Sequence, residues 1–120
     1  MFTNKKLAVL GGGKMGGILL RGVIDKKILS PDRITVTDID KDRLQTLAST
    51  LRVSVSSDNK KAVKNADIVI LAVKPQIFPD LLQDIRPAAT ASKLFMSIAA
   101  GITTGAIEKG LPKGARVLRV

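Results

Sequence analysis

A short apolar strand followed directly by a glycine-rich turn is the feature that most constrains this chain. The strand covers Leu7–Leu10, and the turn after it carries Gly-x-Gly-x-x-Gly at Gly11, Gly13 and Gly16. In this pattern the first glycine permits a tight turn, the second leaves room beside the backbone, and the third lets the next helix press on the strand. The N–H groups and positive dipole end of that helix then face an anion. The pattern predicts a site for the diphosphate of a dinucleotide.

Segments typical of strands and of helices alternate along the chain. Apolar and β-branched runs predict six strands, over residues 6–10, 33–38, 53–55, 67–73, 94–98 and 116–120. Helical spacing fills the intervals, and Asp40, either Ser57 or Asp58, and either Thr103 or Thr104 are predicted to begin helices. Strands separated by helices favour right-handed crossovers. They predict an α/β fold with a doubly wound parallel sheet of the Rossmann type and helices on both faces.

The core of such a fold must here be built from aliphatic side chains. The 120 residues include three Phe and no Trp or Tyr, whereas hydrophobic residues make up 45%. A core composed of Val, Ile, Leu and Ala is typical of a parallel sheet covered on both faces. The length fits one domain, so we expect residues 1–120 to form a single NAD(P)-binding domain.

The charge balance is strongly basic. Twenty Lys and Arg against ten Asp and Glu give a net charge of +10. This excess favours attraction to an anion such as a dinucleotide or a nucleic acid, or else it describes a solvated basic surface. Because the positive residues are scattered and no aromatic residues lie between them to stack bases, we expect no nucleic-acid partner.

Several chemistries lack their usual residues. Cys and His are absent, so we expect no disulfide and no metal site, and no nucleophile–base pair suggests a catalytic residue. No apolar run approaches the ~20 residues that a membrane span needs. The apolar run after Lys5 and Lys6 is too short for a signal peptide. We therefore expect a cytoplasmic protein with no membrane partner.

Ligands on doubly wound sheets lie at the carboxyl ends of the strands, beside the point where the strand order reverses. Four segments are predicted to meet there: Gly11–Gly16, Asp38–Asp40, Val73–Gln76 and Ala99–Gly101. Lys74 follows a buried strand, so it either approaches the nicotinamide ribose or the substrate, or is an exposed strand-end lysine. The small residues of the fourth segment can lie against a flat ring, although a plain strand-to-helix turn has the same composition.

Two polar side chains are candidates for the adenosine part of a dinucleotide. Asp38 ends the second strand, where an acid that accepts from a ribose hydroxyl is expected, although it can also be a capping or solvated residue. Beside the ribose, it would repel a 2′-phosphate by about 4 kcal/mol at ~4 Å and an effective dielectric near 20. That repulsion favours NAD over NADP, but Lys41 and Arg43 are close enough to reverse the preference. Asn59 is interpreted as a ribose or adenine ligand or as a polar residue of a first helical turn.

Four segments together resemble pyrroline-5-carboxylate reductase. They are Leu10-Gly-Gly-Gly-Lys-Met-Gly16, Ala72-Val-Lys-Pro-Gln76, Ser97-Ile-Ala-Ala-Gly101 and the final Arg119-Val120, and they cover essentially the whole chain in order and spacing. The resemblance implies transfer of hydride from NADPH or NADH to the C=N carbon of 1-pyrroline-5-carboxylate, which gives L-proline. The second and third segments are more specific than the glycine motif.

The resemblance also implies roles for individual residues. Leu10 to Met15 would hold the pyrophosphate, Asn59 would contact the adenosine side, and Val73, Lys74 and Ala100 would line the nicotinamide end. The full set of predicted cofactor-binding residues is Leu10, Gly11, Gly12, Gly13, Lys14, Met15, Gly16, Asp38, Asn59, Val73, Lys74, Pro75, Ala99, Ala100 and Gly101.

The sequence departs from the family pattern in two ways. NADPH-using members often have Ser, Thr or Asn at the position of Asp38. The helical domain that carries the substrate-carboxylate site and dimer interface in the family is absent here, so we expect a homo-oligomer only with that domain, and little activity from this chain alone. Two alternatives stay open: another NAD(P)-dependent oxidoreductase, such as a deazaflavin-type NADP reductase, and a non-catalytic dinucleotide-binding protein.

Overall fold

The chain forms a six-stranded parallel sheet in the strand order β3-β2-β1-β4-β5-β6. The structure, a computed structural model, describes residues 5–90, 92–98, 104–112 and 116–119. The strands are β1 (Leu7–Leu10), β2 (Ile34–Thr37), β3 (Ser54–Ser56), β4 (Ile68–Leu71), β5 (Leu94–Ser97) and β6 (Arg116–Arg119). Both the six strands and the doubly wound order confirm the fold expected from the sequence.

The register of the sheet brings the strand ends together at one edge. Leu10 lies opposite Thr37 on one side and Leu71 on the other, and Leu71 lies opposite Ser97. The strand order reverses between β1 and β4, because β2 follows β1 in sequence but lies on its other side. The four carboxyl ends therefore surround the crevice where such sheets bind their ligands.

Helices cover both faces of the sheet. They are α1 (Lys14–Asp25), α2 (Lys41–Leu51), α3 (Asn59–Lys64), α4 (Phe78–Ile85) and α5 (Thr104–Gly110). Leu20 of α1 and Leu47 of α2 belong to one buried cluster with Val9 and Val36. The helices α3, α4 and α5 contribute to a second cluster on the opposite face, which contains Phe95. The predicted two-layered covering is confirmed.

Local side-chain chemistry sets the start of two helices. The Asp40 carboxylate accepts a hydrogen bond from Arg43 N at 3.1 Å, and the Asp58 carboxylate accepts one from Lys61 N at 3.0 Å. Each aspartate thus satisfies a backbone donor that has no partner inside its helix. Asp40 is a cap as predicted, and of the two candidates for α3 it is Asp58 that caps.

The strand predicted over residues 67–73 is shorter in the structure, where β4 covers Ile68–Leu71. The chain leaves the sheet after Ala72, whose N–H still bonds Leu10 O at 2.9 Å. A 3₁₀ turn over Pro75–Ile77 precedes α4, because proline fixes φ and prevents continuation of the strand. Pro79 is tolerated because it lies in the first turn of α4.

On one face of the sheet, a row of apolar side chains becomes more exposed toward β6. Across β4, β5 and β6 the register aligns Ile70, Met96 and Leu118 on the face that carries α1 and α2. Exposure rises along this row from 6% at Ile70 to 52% at Leu118. The described helices of this face contact β1 and β2, whereas α3 to α5 pack on the other side. The apolar row thus emerges from the core into solvent.

Candidate coenzyme-binding site

Two glycines of the turn, Gly11 and Gly16, are required by the fold itself, and Gly12 is closely packed against side chains. Gly11 has φ +104°, and a Cβ there would lie 2.9 Å from Ala72 O. A Cβ on Gly12 would lie 2.8 Å from Leu47 Cδ1, and one on Gly16 would overlap the carbonyl oxygen of Gly11. Because backbone atoms surround two of these positions, a side chain there displaces the strand or the helix.

Gly13 is different, because the fold makes no demand on it. Its φ of −71° is open to any residue, and a Cβ would meet only Arg43 Nη1, at 3.9 Å. The position faces open space at the start of α1. A side chain would fill that space, so the glycine keeps a cradle free beside the backbone.

The start of α1 has the chemical features of an anion-binding site. Gly13 supplies no side-chain cap, and the first turn of this 12-residue helix contains no acidic residue. Its leading N–H groups have no acceptor inside the helix, and their dipoles point toward the cradle. The cradle and the donors together fit the diphosphate of a dinucleotide.

Asp38 is tied to the protein rather than presented freely to a ligand. Its Oδ2 accepts from Gly12 N at 2.8 Å and from Arg43 Nη1 at 3.1 Å, and its Oδ1 accepts from Asp40 N at 3.0 Å. The side chain is only 8% exposed. A carboxylate has about four acceptor positions, so one remains on Oδ1 for a ribose hydroxyl.

The charge of Asp38 is also balanced within the site. Burial opposes its ionisation, but hydrogen bonds from Asp40 N–H, Gly12 N–H and Arg43 outweigh that effect, and the pKa of Asp38 is lowered from its ordinary value. The carboxylate therefore stays ionised and paired with the Arg43 guanidinium. This pairing cancels the repulsion on which the expected preference for NAD rested, since a 2′-phosphate would meet Asp38 together with its counterion.

Arg43 stands at the edge of a groove between α1 and α2. The groove has a volume of about 610 Å³ and is lined by Gly12, Gly13, Gly17, Ile18, Arg21, Asp40, Asp42, Arg43, Thr46 and Leu47. Arg43 is 46% exposed and contributes a positive charge next to the cradle. The predicted site set did not include Arg21, Arg43 or Thr46. Helical spacing from Gly13 places Arg21 on the groove side of α1, which was the signal in the sequence.

Asn59 lies at the same edge of the sheet, as the first residue of α3. Its Oδ1 accepts a hydrogen bond from the hydroxyl of Thr37, the last residue of β2. The side chain is half-buried, so it is more than a solvated residue of a first turn. The structure brings it next to the carboxyl end of β2, on the side of the sheet predicted for adenosine.

The remaining predicted residues fall into four groups. Leu10 is fully buried at the end of β1 and offers only its backbone to a ligand. Val73 is half-buried, with Cγ1 3.1 Å from the Cβ position of Gly11, while Lys74 and Pro75 are exposed. Lys14 and Met15 form the first turn of α1. The predictions for Ala99, Ala100 and Gly101 lie outside the described residues.

The described part of the chain offers neither a metal site nor a membrane-spanning helix. Within residues 5–90, 92–98, 104–112 and 116–119, no group of three or more Asp and Glu lies together in a way that could hold a metal ion. Over the same ranges, no helix has the length and apolar character needed to cross a membrane.

Comparison with known families decides the class of the protein. Residues 6–101 match the family model described as NADP oxidoreductase, coenzyme F420-dependent. The chain belongs to this family. Membership confirms the expected class of coenzyme, a nicotinamide dinucleotide, and agrees with a cradle at the start of α1.

Several curated relatives share a narrower name. Pyrroline-5-carboxylate reductase of Methanosarcina acetivorans is 40% identical over 117 residues, which are 98% of this chain and 43% of that protein. This confirms the resemblance carried by the four sequence segments. The chain spans less than half the length of the curated relatives it matches.

Solved structures agree with the sequence comparison. A pyrroline-5-carboxylate reductase from Coxiella burnetii superposes with a TM-score of 0.91 at 33% identity, covering 98% of this chain and 43% of that chain. Pyrroline carboxylate reductase of Plasmodium falciparum, solved with NADP bound, gives a TM-score of 0.82 at 27% identity, covering 95% of this chain and 40% of that one.

Substitution of Gly13 separates folding from coenzyme binding. We expect Gly13→Val to fold with near wild-type thermal stability, because its side chain enters open space, and to lose NADPH and NADH binding by at least about 100-fold in calorimetry. Gly22→Ala is the matched control, since nothing lies within 4 Å of its Cβ position. It should leave affinity unchanged and stabilise α1 by about 0.5–1 kcal/mol. Full affinity in Gly13→Val would move the diphosphate elsewhere.

The paired state of Asp38 predicts a pH dependence of stability. A carboxylate with a lowered folded-state pKa stabilises the protein above the unfolded value, here 3.8, and this contribution is lost as pH falls through the folded value. We expect Asp38→Asn to be less stable than wild type at pH 7 by about 1.5–3 kcal/mol. The difference should narrow below pH ~4 in urea unfolding. Exposed Asp84→Asn is the control, and a difference that is constant with pH would contradict the assignment.

Proposed function

We propose that this chain is the coenzyme-binding domain of a reductase that converts 1-pyrroline-5-carboxylate to L-proline with NADPH or NADH. The observation that carries the proposal is the cradle at Gly13, kept free by a glycine that the fold does not need. It occurs in a chain that is 40% identical to a pyrroline-5-carboxylate reductase. Residues 1–120 supply the coenzyme side, and we infer that the substrate-carboxylate site and the dimer interface lie elsewhere in the protein.

The protein's part in this reaction is binding and orientation. The coenzyme supplies the hydride, which goes to the C=N carbon while the nitrogen takes a proton from solvent or from substrate-side groups. The turn from Gly11 to Gly16 holds the diphosphate, and Asn59 and Arg43 hold the adenosine part. Val73 and Lys74, at the end of β4, then border the nicotinamide end. Fixing the coenzyme in this way lowers the entropic cost of bringing the reacting carbons together.

A second candidate is reduction of a deazaflavin by NADPH. The description of the matched family favours it, since that description names coenzyme F420. The family match covers only residues 6–101, which hold the coenzyme side shared by both reactions. The individual relatives carry the name of the proline-forming reductase, and for that reason we favour the imine substrate.

Cellular context completes the proposal. We infer a cytoplasmic enzyme that acts on a small molecule, without a nucleic-acid or membrane partner. A chain without cysteine is compatible with a reducing compartment. Scattered lysines without interleaved aromatic residues favour a small anionic ligand over a nucleic acid.

A domain exchange tests whether this chain supplies the coenzyme side of the proposed reaction. The part of the Methanosarcina acetivorans relative that this chain matches, 43% of that protein, is replaced by this chain, and oxidation of NADPH is followed with 1-pyrroline-5-carboxylate and, separately, with coenzyme F420. We expect the chimera to reduce the imine and not the deazaflavin, whereas the 120-residue chain alone binds coenzyme with little turnover.

The same chimera carrying Gly13→Val is the control and should lose turnover. A chimera that binds NADPH but leaves the imine unreduced would contradict the proposed reaction.

We infer that Arg43 determines the preference between NADPH and NADH. Its guanidinium is paired with Asp38 on one side and 46% exposed on the other, beside the groove. Guanidinium and phosphate form strong charge-assisted hydrogen bonds, so we infer that Arg43 receives a 2′-phosphate and that the enzyme accepts NADPH.

We expect Arg43→Gln to weaken NADPH binding by about tenfold or more, and NADH binding by less than about threefold, because only NADPH carries the group that Arg43 contacts. Dissociation constants from calorimetry give both values. Arg52→Gln, at the opposite end of α2, is the control. Equal losses for the two coenzymes would assign Arg43 to the diphosphate instead.

A further inference from the structure

The strand β2 ends in a buried hydroxyl group. Thr37 is 2% exposed, and its register partner is Leu10 at the end of β1. Side chains alternate along a strand, and Val36 faces the cluster beneath α1 and α2, so Thr37 faces the opposite side, where α3 lies. There its Oγ1 donates a hydrogen bond to Asn59 Oδ1. The hydrogen bond to Asn59 explains how a hydroxyl group is accommodated at this buried position.

This hydrogen bond fixes which way the Asn59 amide faces. With Oδ1 held by the hydroxyl, the two N–H donors of Nδ2 are directed away from Thr37. The same threonine also holds the glycine turn, because its carbonyl oxygen accepts from Gly11 N at 2.8 Å. One residue at the end of β2 therefore connects the two segments that bracket the adenosine side of the site.

Thr35 provides a natural comparison. It lies two residues earlier on β2 and on the same face, opposite Ala8, and is therefore farther from the carboxyl edge of the sheet. It is half-buried, and it lies away from the carboxyl edge of the sheet, where the glycine turn and Asn59 are found. The two threonines share strand, face and residue type, and they differ in whether the hydroxyl reaches Asn59.

We propose that Thr37 is a positioning residue for coenzyme binding, which acts by holding the Asn59 amide so that its NH₂ group donates to the adenosine part of the coenzyme. The inference rests on the proposed coenzyme function and adds a residue outside the glycine motif. Without the hydroxyl, the amide rotates among several orientations, and binding must order it at a cost in affinity. The adenosine is common to both coenzymes, so the loss applies equally to NADPH and NADH.

A double-mutant cycle in coenzyme affinity tests this role. Calorimetry gives the dissociation constants of Thr37→Val, Asn59→Ala and the double variant. We expect Thr37→Val to weaken both coenzymes by about fivefold, the worth of one neutral hydrogen bond. The double variant should bind no more weakly than Asn59→Ala, since Thr37 acts through Asn59. Thr37→Ser should restore affinity to within about twofold of wild type, and Thr35→Val should leave it unchanged.

Several results would overturn the inference. A wild-type dissociation constant in Thr37→Val, with a change only in the thermal midpoint, would show that the hydroxyl serves folding alone. Losses that multiply in the double variant would show that Thr37 acts on binding independently of Asn59. A second measurement needs no variant: the Asn59 side-chain NH₂ signals of the wild-type chain must shift on saturation with NADPH, and unchanged signals refute the contact. If the wild-type chain binds neither coenzyme, the proposed function itself fails.

Discussion

The contact between Gly16 and the carbonyl oxygen of Gly11 is the constraint on which the rest of the structure depends. A side chain at Gly16 would occupy the position of that oxygen, so α1 can rest against the end of β1 only because none is present. Gly11 in turn needs its positive φ to direct the chain from the sheet into the helix. The close packing of α1 on β1 follows, and so does the position of the helix start, from which donors face the crevice.

The last residue of β2 and the residue that follows it connect this backbone geometry to the loops around it. Asp38 bonds the Gly12 amide, the start of α2 and the Arg43 guanidinium, while Thr37 bonds the Gly11 amide and Asn59. Loops at a ligand site are usually mobile unless their polar groups are paired. Here the glycine turn, the start of α2 and the start of α3 are all bonded to Thr37 or to Asp38, at the end of the same strand. The site is therefore organised before any ligand arrives, which reduces the cost of binding.

The features of this structure that depend on local chemistry could be predicted from the sequence. Alternating apolar segments predicted the sheet, and Asp40 was predicted as a cap because its acceptor and donor lie within one helical turn. The bonds of Asp38 to Gly12 and of Thr37 to Asn59 were not predictable, since they join residues that are 26 and 22 positions apart. Which oxygen a hydroxyl or an amide chooses depends on rotamers that only the packed structure fixes. The groove beside Arg43 was not predictable either, because its existence depends on the distance between α1 and α2.

The exposed end of the row of Ile70, Met96 and Leu118, at Leu118, affects how molecules of this chain behave toward one another. An apolar sheet surface next to an outer strand is the kind of feature on which β proteins aggregate. Arg116 sits on that same outer strand, and the chain carries a net charge of +10. Mutual repulsion between like-charged molecules opposes such contacts, and salt weakens it. We therefore expect the basic excess to oppose association at low ionic strength, a role separate from attraction of an anionic ligand, and we expect that protection to be lost at high ionic strength.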